Sequence, residues 1–438
     1  MPKNQQRVIP RLKPVPYTLT DVSTTLKQPQ LTPAVELNQI TLYNTPDLPN
    51  NKRGFKYQPC RPNPYLHSKM YSTTDLPPYG VHWSYFDRSS EMYVSENLLI
   101  AGTLEEFGWR STRSNIAIRE GRCYVEYKIV NGIDVNSEDN EINLNDRNEQ
   151  RTQKPHVRIG LGRREGSLEA PVGFDGYSYG IRDVKGEIVH LSKRTDIGGV
   201  DLCVGDIIGL LIELPTMELQ KEISKKMILQ KTLSDPIDEE IKRKDLKLLD
   251  NTLINKGIER DMIPIKYKGE MFFEEYEYTE SKAMEHLLNP VTVFGERAIS
   301  DKERFKPATL PGSSITLFVN GKKKCVPFEK LYAFLPPASE QKMTKNDKKG
   351  KADFSIDVDD GSLGYYPMVS SFCGGAVEIN SSNDPWIMPE DLEEQINNDE
   401  IKMYGRKFND KVAQDIVVDL IDDAINKYLD RKEIELEN

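Results

Sequence analysis

The chain is poor in the groups that perform covalent chemistry. Its 438 residues hold five cysteines, five histidines and three tryptophans. Cys60, Cys123, Cys203, Cys325 and Cys373 are widely spaced, odd in number and form no CxxC pair. That argues against a zinc ribbon or a disulfide framework and for a reducing compartment. His67, His82, His156, His190 and His286 show no metal-ligand spacing. No GxxxxGK[ST] phosphate loop is present, and Gly160–Gly166 has the wrong spacing for a dinucleotide loop. No apolar run approaches the ~20 residues of a membrane span, and the first residues lack the apolar core of a signal peptide. Neither catalysis, a metal, a cofactor nor a membrane is expected.

What the chain does have is charge. Charged residues make up 29% and the net charge is −10. A soluble acidic body is a poor generic nucleic-acid binder unless a local basic patch supplies the contacts. Residues 1–75 are rich in Pro, Asn, Gln and Thr, and the first 60 carry eight Lys or Arg against three Asp or Glu. This basic arm reads either as a solvated segment draped on the surface or as one lying on DNA phosphates or an acidic partner.

Strand patterns dominate residues 76–382. In Arg122–Val130, residues Cys123, Val125, Tyr127 and Ile129 share a face, with Glu126 and Lys128 opposite. In His156–Gly162, the apolar set Val157, Ile159 and Leu161 throws Arg158 off the core side. Asp206–Glu213 is nearly all apolar and reads as an interior strand. Further strands are expected around Glu270–Glu274, Ser314–Gly321, Tyr365–Phe372 and Gly375–Asn380, with Asn320-Gly321 as a type I′ hairpin turn. Between Ala170 and His190 lie four glycines and three aromatics. That mixture marks tight turns, close backbone approach and rings that need a sheet to bury against. The pattern is that of a β-sandwich, interrupted by a charged, partly helical insertion at 216–262 and a flexible loop at 338–360. An aperiodic acidic loop fills 131–155.

Residues 383–408 read as an acidic linker. A helix is expected over 409–432, capped by Asn409 or Asp410 and ending in cations that suit its macrodipole. Its apolar residues recur in pairs every three to four positions and cover more than half the circumference, wider than a helix resting on one sheet needs. Docking on its own sandwich or insertion into a partner's helical bundle would cover them.

The pieces Arg113-Ser-Asn-Ile-Ala-Ile-Arg-Glu-Gly121, Val157-Arg-Ile-Gly160, Ala170-Pro-Val-Gly-Phe-Asp-Gly-Tyr-Ser-Tyr179 and Gly205-Asp-Ile-Ile-Gly209, with the terminal helix, resemble a SPRY domain. More narrowly they resemble the SPRY subunits of COMPASS-type histone H3 lysine-4 methyltransferase complexes, the "absent, small, or homeotic discs" family, in its fungal form. The resemblance implies an all-β, concanavalin-like two-sheet sandwich with a loop pocket that receives an acidic segment of a WD40 β-propeller subunit. It places that pocket's residues on Arg113, Arg158, Tyr79 and Ser370. It also implies that the terminal helix inserts between helices of a small DPY-type dimer, with Val417, Leu420, Ile421, Ala424 and Tyr428 as central contacts. Animal members carry zinc-binding and winged-helix modules ahead of the SPRY domain, and no counterpart is expected in residues 1–75.

The expected function is therefore a nuclear, non-catalytic scaffold beside a SET-domain methyltransferase that acts on nucleosomes. The alternatives are a SPRY substrate receptor of a ubiquitin ligase, which would recruit ligase components and need no DPY-type dimer, and a lectin-like enzyme or glycan binder.

Overall fold

In a computed structural model the described residues are 15–22, 27–37, 39–49, 55–134, 154–234, 257–260, 263–288, 307–342, 355–356 and 359–437. Two large sheets face one another, as expected for a sandwich. The larger has ten strands. Along it run Thr32–Leu37, Ile40–Asn44, Tyr93–Val94, Ile100–Gly102, Ala376–Ile379, Gly121–Asn131, Ile207–Leu214, Ser314–Val319 and Lys322–Glu329. The smaller has seven: Lys193–Thr195, Ile188–His190, Ser178–Arg182, His156–Gly162, Tyr366–Phe372, Arg110–Ser114 and Trp83–Arg88.

The alternation read from sequence decides which side chains meet. Cys123, Val125, Tyr127 and Ile129 of the larger sheet pack with Val157, Ile159 and Leu161 of the smaller in one buried cluster. The Tyr127 hydroxyl donates to the Gly160 carbonyl at 3.1 Å, satisfying a buried polar group between the sheets. Ile207–Leu214 is interior, paired on both sides. Asn320 and Gly321 both have positive φ, 50° and 76°, as a type I′ turn requires.

Two segments differ from expectation. Much of the basic arm is built into the fold. Thr32–Leu37 and Ile40–Asn44 form a hairpin that joins the larger sheet through Tyr43 and Val94. Phe55–Pro62 pairs with Glu270–Tyr276 in a separate four-stranded sheet. Leu37 and Leu42 are buried against Ala376, and their polar neighbours conceal that pattern in the sequence. Residues 1–14, which carry half of the arm's early basic charge, lie outside the described residues.

The acidic linker also folds onto the sandwich. Buried Glu126 accepts from Asn380 Nδ2 at 2.8 Å and from the Trp386 and Ile387 amides at 2.6 and 3.3 Å. Leu392, Ile396, Ile401 and Met403 then pack on Tyr124, Leu211 and Phe318, on the outer side of the larger sheet. Lys402–Met403 adds a parallel strand beside Cys123 and Tyr124. Fully buried Tyr404 donates toward Ser114 Oγ at 2.9 Å and the Ile116 carbonyl at 2.5 Å. The linker's acidic residues are exposed while these four apolar residues bury.

The insertion opens with the helix Met217–Ser234, as its composition suggests. Residues 235–256 and 261–262 of that insertion lie outside the described residues, as do 135–153 of the acidic loop and 343–354 and 357–358 of the 338–360 loop. The ends of the last loop are ordered: Glu340–Lys342 pairs with Tyr278–Thr279 and with Ser355–Ile356.

The outer face of the smaller sheet is covered by the 163–177 loop, and glycine is the reason it can be. Gly160 and Gly180 are cross-strand partners. A Cβ at Gly180 would lie 2.6 Å from the Val172 carbonyl oxygen, far inside contact distance. Gly173, at φ +84°, turns the loop where a Cβ would meet the Val189 carbonyl at 2.4 Å. Gly180→Ala is expected to lift the loop and destabilise the fold by about 1–3 kcal/mol. Urea denaturation measures this, and an unchanged midpoint would show that the loop yields freely.

Candidate functional site

Arg158 leaves the core side of His156–Gly162, as its alternation requires. Its cross-strand neighbours are Ser370 on one side and Arg182 on the other. The guanidinium lies over the Trp109 ring, 4.7 Å from its centroid. Trp109 in turn tilts against Phe372 at 5.2 Å. Arg158 Nη1 reaches the Val172 carbonyl only at 3.4 Å, and its Nε has no hydrogen-bond partner. Burial, with Arg182 and Arg194 nearby, pulls its pKa down to about 10 against the opposing influence of Asp183 and Glu187. Arg158 stays charged at neutral pH, yet it is desolvated, crowded by like charge and short of acceptors. An incoming carboxylate would supply the missing acceptor and offset the like charge, and the planar fork suits it. Arg182 is paired with Glu187, and Phe174, on the turn after Val172, is exposed.

The other residues expected in this pocket take different positions. Arg113 is 2% exposed. Its Nε and Nη2 hold Asp87 at 2.7 and 2.9 Å. Nη1 donates to the carbonyls of Arg163 and Gly166, each at 2.9 Å, and Nη2 also to that of Arg164 at 3.2 Å. This corrects the expectation that Arg113 offers its fork to a ligand, because its donors are engaged inside the protein. Burial pushes the Asp87 carboxyl up, but Arg113 and Arg164 outweigh it and hold it below its usual range. Ser370 is likewise fully buried: its Oγ meets Ser111 Oγ at 2.7 Å and accepts the Val172 amide at 2.8 Å. It stands beside Arg158 and holds the loop that covers it. Tyr79 is 62% exposed on the loop before Trp83–Arg88, and no contact with Arg158 is found.

Trp109 and Arg182 are the residues that sequence reading missed. Alternation places Arg182 outward beside buried Ile181, which is a usable signal. Trp109 precedes its strand and carries none.

The terminal helix runs from Lys407 to Glu437, longer than expected at both ends. Its polarity is inverted relative to an ordinary surface helix. Asp415, Val418, Asp419, Asp422 and Asn426 lie toward the rest of the chain, and Val418 is only 7% exposed. The Asp423 carboxylate accepts the backbone amides of His67 and Ser68 at 3.1 and 2.7 Å. Ala413, Ile416, Val417, Leu420, Ile421, Ala424, Ile425, Tyr428 and Leu429 form the stripe that faces solvent, with Leu420 at 56% exposure. The helix does dock on its own body, but by its charged side, and all five residues expected as partner contacts lie in the open stripe.

A cavity of about 240 Å³ lies under the first turns of this helix, lined by charges including Lys56, Arg119, Asp360, Lys411 and Asp415. These groups neutralise one another: Lys56 Nζ lies 3.0 Å from Glu275 and 2.8 Å from Asp360. Against the cost of burial, that lysine brings the Asp360 carboxyl down to about 2. No cluster of three potential metal ligands occurs among the described residues, and no described helix is long and apolar enough to cross a membrane.

These features define a class: a mostly β two-sheet fold with an incompletely bonded arginine on the outer side of the smaller sheet and a terminal helix whose apolar stripe faces solvent. The chain is similar to the "COMPASS component cclA" of Aspergillus fumigatus, at 34% identity over 388 residues, covering 87% of this chain and 60% of that protein. It is similar to the "COMPASS component BRE2" of Saccharomyces cerevisiae at 30% identity, covering 90% of this chain and 91% of the relative. The chain belongs to this family of COMPASS components, although it spans less than two thirds of the length of the Aspergillus relative. Among solved structures it is similar to the SPRY domain of human HERC1, at 10% identity and a TM-score of 0.28, over 68% of this chain and 96% of that one. No family model matches.

Stability separates the two arginines. Arg113→Ala is expected to cost about 3–5 kcal/mol, because it leaves the buried Asp87 charge unpaired. Arg158→Ala should stay within about 1 kcal/mol, since the cation–π contact it loses is offset by a relieved desolvation. Thermal denaturation of both variants checks the ordering, and equal losses would contradict it.

Proposed function

We propose that this chain is a non-catalytic scaffold subunit of a COMPASS-type histone H3 lysine-4 methyltransferase complex, working in the nucleus beside a SET-domain subunit that carries the chemistry. The observation that carries the reading is the open stripe of the terminal helix. Nine apolar side chains at three- and four-residue spacing face water, and each large one forgoes roughly 1.5–3 kcal/mol that burial would return. The side of the helix that rests on the body is charged, so it can hold its place while the other face is filled. A groove between the helices of a DPY-type dimer suits a stripe of this width. The stripe would bind through Val417, Leu420, Ile421, Ala424 and Tyr428.

The second contact is electrostatic. Arg158, with Arg182 across the strand and Trp109 beneath, would take a carboxylate from an acidic segment of a WD40 β-propeller subunit. Ser370 and Arg113 contribute by holding the loop that shapes the cleft. Tyr79 would reach such a segment only at the rim. Nucleosomal DNA would be met by phosphate contacts from the basic N-terminal residues. Membership of a family of COMPASS components supports both contacts.

Leu420→Glu puts a charge into a seam that must be desolvated, at a cost of several kcal/mol. Loss of the dimer in pull-down with an unchanged melting curve is expected, and retained dimer would refute the helix assignment. Arg158→Ala should weaken an acidic propeller peptide by about tenfold or more in titration, as loss of a desolvated charge-assisted contact does. A Kd equal to wild type would exclude the cleft.

A further inference from the structure

The charged side of the terminal helix is held from several directions. Lys411 Nζ lies 2.8 Å from Asp415 within the helix and 3.7 Å from Asp75 on the sandwich. The His67 and Ser68 amides hold Asp423. Between these points stands Arg260. Its Nη2 donates to Asp415 Oδ1 at 2.6 Å, and its Nη1 stands 3.7 Å from Asp419 Oδ1. The Arg260 side chain is only 5% exposed.

Arg260 comes from the far end of the 216–262 insertion, and its short segment is itself pinned. The Glu259 amide donates to the Asp359 carbonyl at 2.9 Å. Ile258 lies over Gly361, whose φ of +87° turns the chain beneath it. Beyond Phe408 in its first turn, which packs against the core, the seat of the helix has little apolar contact to fall back on, since Val418 is its one buried hydrophobic residue among those described. Without Arg260, the carboxylates of Asp415 and Asp419 would crowd a desolvated seam with reduced compensation. A helix held by charge on one side keeps its orientation only while that charge is met.

We propose that Arg260 is a positioning residue that fixes the bearing of the terminal helix on the sandwich, so that the end of the insertion clamps the helix and points its apolar stripe at the partner. The clamp stands on geometry alone. Its consequence for complex activity rests on the function proposed above.

The test uses the full chain with Arg260→Met, which keeps length and removes charge, and Arg260→Lys, which keeps charge. Amide hydrogen exchange is followed over residues 411–426, with Gly121–Asn131 as an internal reference. Arg260→Met should speed helix exchange by about tenfold while the reference strand stays protected, and Arg260→Lys should remain within about threefold of wild type. Methylation by the reconstituted complex should fall several-fold. Wild-type exchange in Arg260→Met overturns the clamp. So does a lysine variant as fast as the methionine one, or faster exchange spread equally into the reference strand. Unchanged methylation with a loosened helix overturns the positioning role. A wild-type chain that fails to bind any DPY-type dimer would instead sink the proposed function and leave the exchange result standing.

Discussion

A loop can lie flat on a sheet only where the sheet offers no side chains, and the outer face of the smaller sheet depends on that constraint. Gly160 and Gly180 leave adjacent strands of the smaller sheet bare, and the 163–177 loop descends until the Val172 carbonyl almost touches Gly180. Arg113 then binds the loop from below through the carbonyls of Arg163, Arg164 and Gly166, while Asp87 neutralises it. Ser370 closes the far end through the Val172 amide. Arg158 is left at the margin of this packed region, partly desolvated and incompletely bonded. A buried arginine with all donors engaged and a marginal one with donors to spare are two parts of one arrangement: the first makes the second's surroundings rigid.

The terminal helix follows a separate logic. Its inward side is charged and its outward side apolar, so the two sets of contacts do not compete. Ionic and backbone contacts through Arg260, Lys411 and the His67–Ser68 amides set where the helix sits. The stripe supplies hydrophobic contact area that nothing in the described chain covers. The preceding segment contributes as well. Tyr404, locked against Ser114 and Ile116, fixes the point from which the helix departs, so the stripe starts from a defined place on the sandwich.

Much of the fold was legible because period-two alternation is a local property. Val125, Tyr127 and Ile129, and Val157, Ile159 and Leu161, could be assigned to one core before their partners were known. The Asn320-Gly321 turn was legible because few residues adopt two successive positive φ values. The hairpin at Thr32–Asn44 was hidden by its polar neighbours, and the 383–408 segment by its acids. In both, a few apolar residues bury against strands far away in the chain. The helix stripe was readable as a wide apolar surface, yet its direction was not.

The sequence by itself determined the alternation of the strands, the bare glycine positions, the lack of metal and nucleophile spacing, and the five apolar residues on one helix face. All of these depend on residues within a turn or two of one another. Only tertiary structure decided that Arg113 turns inward while Arg158 stays open, since both are arginines on strands and differ in what the distant Asp87, Trp109 and 163–177 loop bring to them. It also decided that aspartates face the body and leucines the solvent, because a helix is oriented by whatever cations and amides its neighbours present, and Arg260 and the His67–Ser68 amides come from parts of the chain that no local pattern connects to it.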